Sequence, residues 1–228
     1  MQHDTQPEII DTGNKVRRWI IYIAGIYILT LGLSLAIRAG IGISPQSSLT
    51  RTMTLVVPQL SQGNVNLILE VIMLVLTFLV RPRAFKAGYL LALVPALVLA
   101  LLLDLNLSIT GWIALRPYTA NLALLFLADA MLAFGLFLMI RANLMLMPID
   151  LFVNTIQQKT GRKWGNIKTV FDCTLLALSA TIGLIFLGAP HFIREGTIIN
   201  AILVGQYVKL YFYLHKRYTA RKTLPTKS

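Results

Sequence analysis

The chain has 228 residues, of which 56% are hydrophobic and 13% are charged, and its mean hydropathy is +0.70. Soluble domains are about 25% charged, so composition excludes a disordered protein, a coiled coil and an ordinary soluble domain. The net charge of +12 does not indicate nucleic-acid binding, because the basic residues lie in short runs between apolar stretches. The sequence therefore predicts an all-α integral membrane protein whose partner is the lipid bilayer, with no nucleic acid bound.

Six apolar runs are long enough to cross a bilayer as helices, since about 20 residues at about 1.5 Å each cover roughly 30 Å. A polar tail, residues 1–16, precedes them. The runs cover residues 19–37, 65–80, 88–105, 121–140, 167–187 and 197–214. We therefore predict six transmembrane helices.

Two further segments, residues 47–57 and 149–158, each follow shortly after a proline. Each has only about ten residues, which is too few to cross the hydrocarbon core. We expect each to form a short re-entrant or interfacial helix.

The basic residues favour six spans with both termini in the cytoplasm. In that topology the outer loops contain only Arg51, Arg116 and Arg194. The inner segments contain Lys15, Arg17, Arg18, Arg81, Arg83, Lys86, Lys159, Arg162, Lys163, Lys216, Arg217, Arg221, Lys222 and Lys227. This asymmetry follows the positive-inside rule and makes residues 215–228 a basic cytoplasmic tail.

The chain contains an internal repeat. Residues 32–45 and 135–148 are identical at seven of fourteen positions, and in the next run a shift of 102 residues aligns Glu70 with Asp172. The two halves, 17–105 and 120–214, are joined by an external connection at 106–119. Because three spans is an odd number, the second half must enter from the opposite side, which gives two inverted 3+3 repeats typical of secondary transporters. A duplicated bundle without a transport function would show the same pattern.

The segment after the first and the fourth run contains glycines or a proline that interrupt helical hydrogen bonding. We expect a hinge at Gly40, Gly42, Pro45 and Pro148.

Two arginines, Arg38 and Arg141, stand just before these segments. A short helix presents free N–H groups at its start, and a guanidinium adds planar donors suited to a carboxylate or a phosphate. With the hydroxyls of Ser44 and Ser47, the arginines form a candidate site for an anionic solute. The alternatives are that the arginines extend to the lipid headgroups or pair with buried acids.

Three acids lie within the predicted spans: Glu70, Asp172 and Asp129. A carboxyl at the bilayer centre costs about 2.5–3.5 kcal/mol on insertion scales, so each needs a role. They compensate the charge of the arginines, or one of them carries a coupling proton. Asp129 has an apolar counterpart, Ile26, in the first half, and this break in the symmetry makes it a candidate functional group; the alternative is a hydrogen bond to a neighbouring helix.

The sequence has no nucleotide-binding loop, no dinucleotide fingerprint, no H-E-x-x-H and no G-x-S-x-G. We therefore expect no enzymatic activity, no cofactor and no metal site, with a lipid-modifying enzyme as a minor alternative. The single cysteine, Cys173, excludes an intrachain disulfide and is expected to be buried.

Over about residues 17–214 the chain resembles the YczE/YyaS/YitT-like family of bacterial multi-pass membrane proteins. Three short motifs carry the resemblance: residues 32–45, the Pro148-x-Asp150 element after Arg141, and residues 196–205. The second half departs from the pattern where Asn143 and Met145 replace glycines. The resemblance implies a protein of the bacterial cytoplasmic membrane with no assigned activity.

These patterns together predict a secondary transporter or permease of a small solute, with an anion as one option. The alternative is a non-transporting assembly factor or an accessory subunit of a larger complex. A homodimer or a membrane partner protein is compatible with either.

Overall fold

The computed structural model describes residues 14–190 and 192–223, and within them the chain forms eight α-helices. Residues 1–13 of the predicted N-terminal tail and residues 224–228 of the C-terminal tail lie outside this part. The helices are α1 Lys15–Ala39, α2 Pro45–Val56, α3 Gln62–Val80, α4 Leu93–Ile109, α5 Tyr118–Ala142, α6 Pro148–Thr160, α7 Trp164–Leu187 and α8 Glu195–Thr223.

Six of these helices are long and apolar enough to cross a membrane: α1, α3, α4 with the 3-10 turn Ala87–Ala92 before it, α5, α7 and α8. The prediction of six spans is therefore confirmed by length and composition, and the chain is a multi-pass membrane protein. The two short segments form α2 and α6, which have 12 and 13 residues. At about 1.5 Å a residue they reach roughly 20 Å, so neither crosses the membrane.

Some helices extend past the apolar runs that predicted them. α4 continues to Ile109 and is followed by a 3-10 turn, so the connection predicted at 106–119 is mostly structured. α8 continues to Thr223, well into the segment predicted as a tail. An apolar run marks the part of a helix in lipid, whereas backbone hydrogen bonding continues into the headgroup region and beyond.

The first helix of each half forms the centre of the bundle, where α1 and α5 pack along each other. Their approach is close, since a side chain at Gly135 would meet the backbone of Gly25 and Leu29. α4 packs on α1, α3 on α4, and α8 on α5. Both short helices pack on α3, and α7 packs on the short helices. The arrangement surrounds the middle of α3 with the beginnings of α2 and α6.

α1 and α5 end in the same way. Gly40 caps α1 with φ 65°, and Asn143 caps α5 with φ 45°, both in the left-handed region. Asparagine tolerates this conformation better than other residues with a side chain, so the departure from glycine at 143 preserves the turn. These two residues are counterparts in the sequence repeat, and a short helix beginning at proline follows each.

Cys173 is exposed on α7. The expectation that it is buried was wrong, because α7 packs against α2 and α6 and leaves the rest of its surface open.

Candidate functional site

Glu70 lies at the centre of the candidate site. It stands eight residues after the start of α3 and ten before its end, and its side chain is 2% exposed. One carboxylate oxygen, Oε1, accepts a hydrogen bond from Gln46 Nε2 at 3.3 Å, and the other, Oε2, accepts one from the backbone N–H of Ile149 at 3.1 Å. The buried charge therefore has a donor on each oxygen.

The two donors are counterparts in the repeat. Gln46 and Ile149 are the second residues of α2 and α6 and follow Pro45 and Pro148. The first N–H groups of a helix have no acceptor within it, and the helix dipole makes this end positive. α6 has no side-chain cap of its own, so Glu70 supplies the acceptor from another helix.

The short helices approach Glu70 from opposite ends of α3. Further along α2, Thr50 accepts a hydrogen bond from Gln62, the first residue of α3. At the far end of α6, Lys159 Nζ donates to the backbone oxygen of Val80, the last residue of α3, at 3.3 Å. α2 therefore runs from Glu70 towards the start of α3, and α6 runs from Glu70 towards its end.

Polar and charged groups surround this carboxylate. Asn66, one turn before Glu70, accepts a hydrogen bond from Gln46 Nε2 at 3.0 Å, and its own Nδ2 is buried without a partner among the described residues. Asp150 on α6, Lys168 on α7 and Tyr22 on α1 lie near enough to interact electrostatically with Glu70. Glu70 is thus part of a polar cluster to which five helices contribute, its own α3 included.

Asp172, the counterpart of Glu70, lies in a different setting. It forms an ion pair with Lys168 at 2.7 Å, one turn earlier on α7, and about 29% of its side chain is exposed. Lys168 occupies the position that corresponds to Asn66. The two halves therefore place a neutral amide before the buried acid and a cation before the partly exposed one.

The two arginines of the predicted anion site lie at the ends of different helices, α1 and α5, and the two serines lie at the start of α2. Arg38 donates from Nη2 to the backbone oxygen of Leu107 at 2.6 Å, at the end of α4, and Arg141 lies in the last turn of α5. Ser44 caps α2, and its hydroxyl bonds that of Ser47 at 2.8 Å. The serines therefore stabilise the helix start that presents Gln46 to Glu70.

Asp129 connects two spans. It is fully buried on α5, and its Oδ1 accepts a hydrogen bond from Asn200 Nδ2 of α8 at 2.6 Å. Its Oδ2 has no hydrogen-bond partner among the described residues. This is the interhelical bond considered for Asp129 from the sequence, and it lies away from the Glu70 cluster.

The four predicted hinge residues mark the turns that lead into the short helices. Pro45 and Pro148 are the first residues of α2 and α6, where a missing N–H costs nothing. Gly42 has φ 128°, and a side chain there would meet the backbone of Gly196 and Thr197 at the start of α8. The turn between α1 and α2 is therefore packed against the start of α8.

Sequence reasoning missed several residues of the site and its support. The position of Asn66 could have been predicted, since it lies four residues before Glu70 on the same helical face. The position of Gln46 could not, because its contact with Glu70 depends on how α2 turns back towards α3. Asp104 fixes the start of α3, accepting hydrogen bonds from the Gly63 N–H at 2.7 Å and the Ser61 hydroxyl at 2.5 Å.

Among residues 14–190 and 192–223, no group of three or more His, Cys, Asp or Glu side chains is arranged to hold a metal ion. The chemistry available in the cluster is that of two carboxyl groups, two amides, a lysine and a tyrosine.

No curated protein and no solved structure matches the chain. One family model matches residues 16–213, which is most of the chain, and it is described as a family of unknown function, DUF6198. This model does not confirm the resemblance to the YczE/YyaS/YitT-like family, which stays a prediction. The chain belongs to the DUF6198 family of unknown function.

Proposed function

We propose that this protein is a secondary transporter of a small anion, built from two inverted 3+3 repeats in the bacterial cytoplasmic membrane, and that Glu70 carries the coupling proton. The observation that carries the proposal is the meeting of two short helices at one buried carboxylate in the middle of a spanning helix.

The depth of Glu70 supports this proposal. At about 1.5 Å a residue, it lies roughly 12 Å from the start of α3 and roughly 15 Å from its end, which is near the bilayer midplane. Interrupted helices whose positive ends meet at the midplane are typical of secondary transporters, where they bind charged groups of the substrate.

The inverted repeat is supported by the equivalent positions of Gln46 and Ile149. They are 103 residues apart, as are the left-handed caps Gly40 and Asn143, and they reach the same carboxylate from opposite ends of α3. A two-fold axis in the membrane plane relates two such segments, whereas a direct duplication would place both on one side.

Proton coupling follows from the charge that occupies the helix starts. While Glu70 is ionised, its carboxylate occupies the positive end of α6 and bonds the Gln46 side-chain amide at the start of α2, and it excludes a second anion. A proton on Glu70 removes that charge and leaves the Ile149 N–H and the Gln46 amide for a solute anion. Proton and anion then enter together, which is symport. Asp150, Asp172, Lys168 and Tyr22 are the other titratable groups nearby.

The topology we propose places both termini and the basic segments in the cytoplasm, as the positive-inside rule predicts. Arg81 and Lys159 contact the neighbouring helix ends at this face, through Gln158 and Val80. The chain carries no motif of a known catalytic centre, so we propose no enzymatic activity.

One observation favours a second candidate, a subunit of a larger membrane complex. The most apolar 18 residues of α8 are only 11% buried within the chain, against 50% for α1. Lipid alone can cover such a helix, and so can a partner protein. A partner that purifies with the chain in a fixed ratio would favour this candidate.

The proposed function is tested in proteoliposomes that contain a pH-sensitive dye. Inorganic phosphate, sulfate, acetate and succinate are added in turn to the outside at equal pH. At least one of them is expected to drive acidification that depends on the protein, and Glu70→Gln should abolish this proton flux.

Asp129→Asn is the matched control, because Asp129 is another buried carboxyl within a span, lies outside the Glu70 cluster and can keep its bond to Asn200, so it should leave the flux unchanged. Equal proton flux in wild type and Glu70→Gln would contradict the coupling role. Absence of flux with all four anions would contradict transport of this class of solute.

A further inference from the structure

A cluster of arginines lies near the C-terminal end of α1, the end opposite to Arg17 and Arg18. Arg38 uses Nη2 to bind the backbone oxygen of Leu107, while its Nε is buried without a partner among the described residues. Arg51, on α2, also has a buried and unpartnered Nε, and its guanidinium lies 6.0 Å from the centre of the Phe192 ring. Two guanidinium groups here therefore have hydrogen-bonding capacity that the described chain does not use.

The two arginines interact as like charges. Burial and the positive charge of Arg38 both lower the pKa of the Arg51 guanidinium below its ordinary value. Arg194 adds a third cation at this end, donating from Nη1 to the backbone oxygen of Gly40. The exposed Glu195 is paired with Arg194, at 3.2 Å. The repulsion between Arg38 and Arg51 would be relieved by an anion between them.

The position makes this cluster unusual. The proposed topology places it on the outer face, where basic residues are normally sparse. Its members are all arginines, and a guanidinium offers planar, paired N–H donors that match a carboxylate or a phosphate. A lysine would provide charge without that geometry.

We propose that Arg38 and Arg51 form an anion-binding site on the outer face of the protein, which takes a phosphate or a carboxylate group. This inference deepens the proposed function and rests on it for the role of the site, as the place where the solute anion is captured before it reaches Glu70. The group can belong to a free anion or to a lipid headgroup.

Binding is measured on the full chain in a neutral detergent, with inorganic phosphate as the probe. Trp112 is a convenient reporter, because it follows Gly111 in the chain. A Cβ atom added at Gly111 would lie 3.7 Å from Arg38 Nη2. Wild type is expected to show a saturable change in tryptophan fluorescence at millimolar phosphate, and calorimetry should confirm it.

Arg51→Gln should weaken phosphate binding about 10-fold to 100-fold, the cost of losing a charged hydrogen-bond donor. Arg51→Lys keeps the charge but loses the planar, paired N–H donors of the guanidinium, and it should weaken phosphate binding about threefold to tenfold. If Arg51→Gln does not elute as a folded protein in size-exclusion chromatography, the lysine variant carries the test. The matched control is Arg116→Gln, an exposed arginine expected on the same face, which should change the affinity less than about twofold.

A second arm separates a free anion from a headgroup. The protein is placed in nanodiscs of phosphatidylcholine alone or with phosphatidylglycerol. If phosphate binds equally in both, the site takes a free anion. If phosphatidylglycerol suppresses phosphate binding in wild type, and Arg51→Lys weakens that suppression, the site takes the headgroup.

The proposal is overturned if wild type shows no saturable phosphate binding up to about 50 mM and phosphatidylglycerol does not bind through Arg51. It is also overturned if Arg116→Gln weakens binding as much as Arg51→Gln does, since general surface charge would then explain the effect. No gradient or transport is needed here, so this result and the proton-flux result through Glu70 can fail separately.

Discussion

A carboxylate at the middle of a membrane helix must find donors or lose its charge, and Glu70 finds donors at the starts of α2 and α6. Hydrogen bonds to a charged group contribute about 1.5–3 kcal/mol each, and a helix N-terminus adds about 0.3–1 kcal/mol, up to about 2 kcal/mol where it is partly buried. These terms offset the cost of insertion. They also make Glu70 a structural link between the two short helices.

Glu70→Ala should therefore destabilise the protein more than Glu70→Gln. Alanine leaves the Ile149 N–H buried without an acceptor, which costs about 1–3 kcal/mol, and it leaves the Gln46 amide with Asn66 alone, whereas glutamine keeps an oxygen at the same place. The measurement is thermal unfolding in detergent, where Glu70→Ala should have the lower Tm by several degrees. Equal Tm values for the two variants would show that the carboxylate does not hold the short helices.

The sequence predicted the burial of Glu70 but not its partners. The depth of Glu70 follows from its distance in sequence to the ends of its apolar run, and its place in the repeat follows from its spacing to Asp172. Its donors lie 24 and 79 residues away, and the turns at Gly40 and Asn143 decide where they fall. The same limit explains why Glu70 and Asp172 looked equivalent, although only Glu70 is enclosed.

At the scale of the elements, the turn from α1 into α2 is fixed by crowding as well as by backbone conformation. Gly42 and Gly161 both have positive φ, 128° and 68°. A side chain at Gly42 would meet the backbone at the start of α8, whereas nothing lies within 4 Å of one at Gly161. Substitutions at Gly42 and Gly161 therefore separate the effect of crowding from the effect of backbone conformation.

Gly42→Ala should lower the free energy of unfolding by several kcal/mol, and Gly161→Ala by only about 1 kcal/mol. The first variant must move two backbone segments apart, while the second only strains one residue. Denaturant titration in detergent micelles, followed by circular dichroism, measures the difference. A similar decrease in the free energy of unfolding for both variants would mean that the turn between α1 and α2 is not packed against α8.

Hydrophobic runs predicted which helices exist better than where they end. The six spans and both short helices lie where the sequence placed them, since apolar length and proline are local signals. The extension of α8 to Thr223 could not be read from hydropathy, because those residues are charged and still helical. Whether a short segment re-enters the bilayer also depended on its contacts with α3, which no local pattern contains.

At the scale of the whole molecule, the two halves differ in how fully they are enclosed. In the first half, α1, α3 and α4 have 39–50% of their most apolar 18 residues buried; in the second half α5 has 39%, whereas α7 and α8 have only 17% and 11%. Glu70 lies on α3, one of the enclosed helices, and Asp172 lies on α7, one of the open ones. Glu70 and Asp172 therefore occupy matching positions of the sequence repeat, but only Glu70 is enclosed.

In the proposed architecture, α2 and α6 enter the membrane from opposite faces and meet at Glu70. Single cysteines at Gln59 and Lys163, both exposed and beyond the ends of α2 and α6, test it in a Cys173→Ser background. In intact cells, a membrane-impermeant maleimide should label Gln59→Cys, and Lys163→Cys should react only after the cells are opened. Labelling of both positions from the same side would contradict the account.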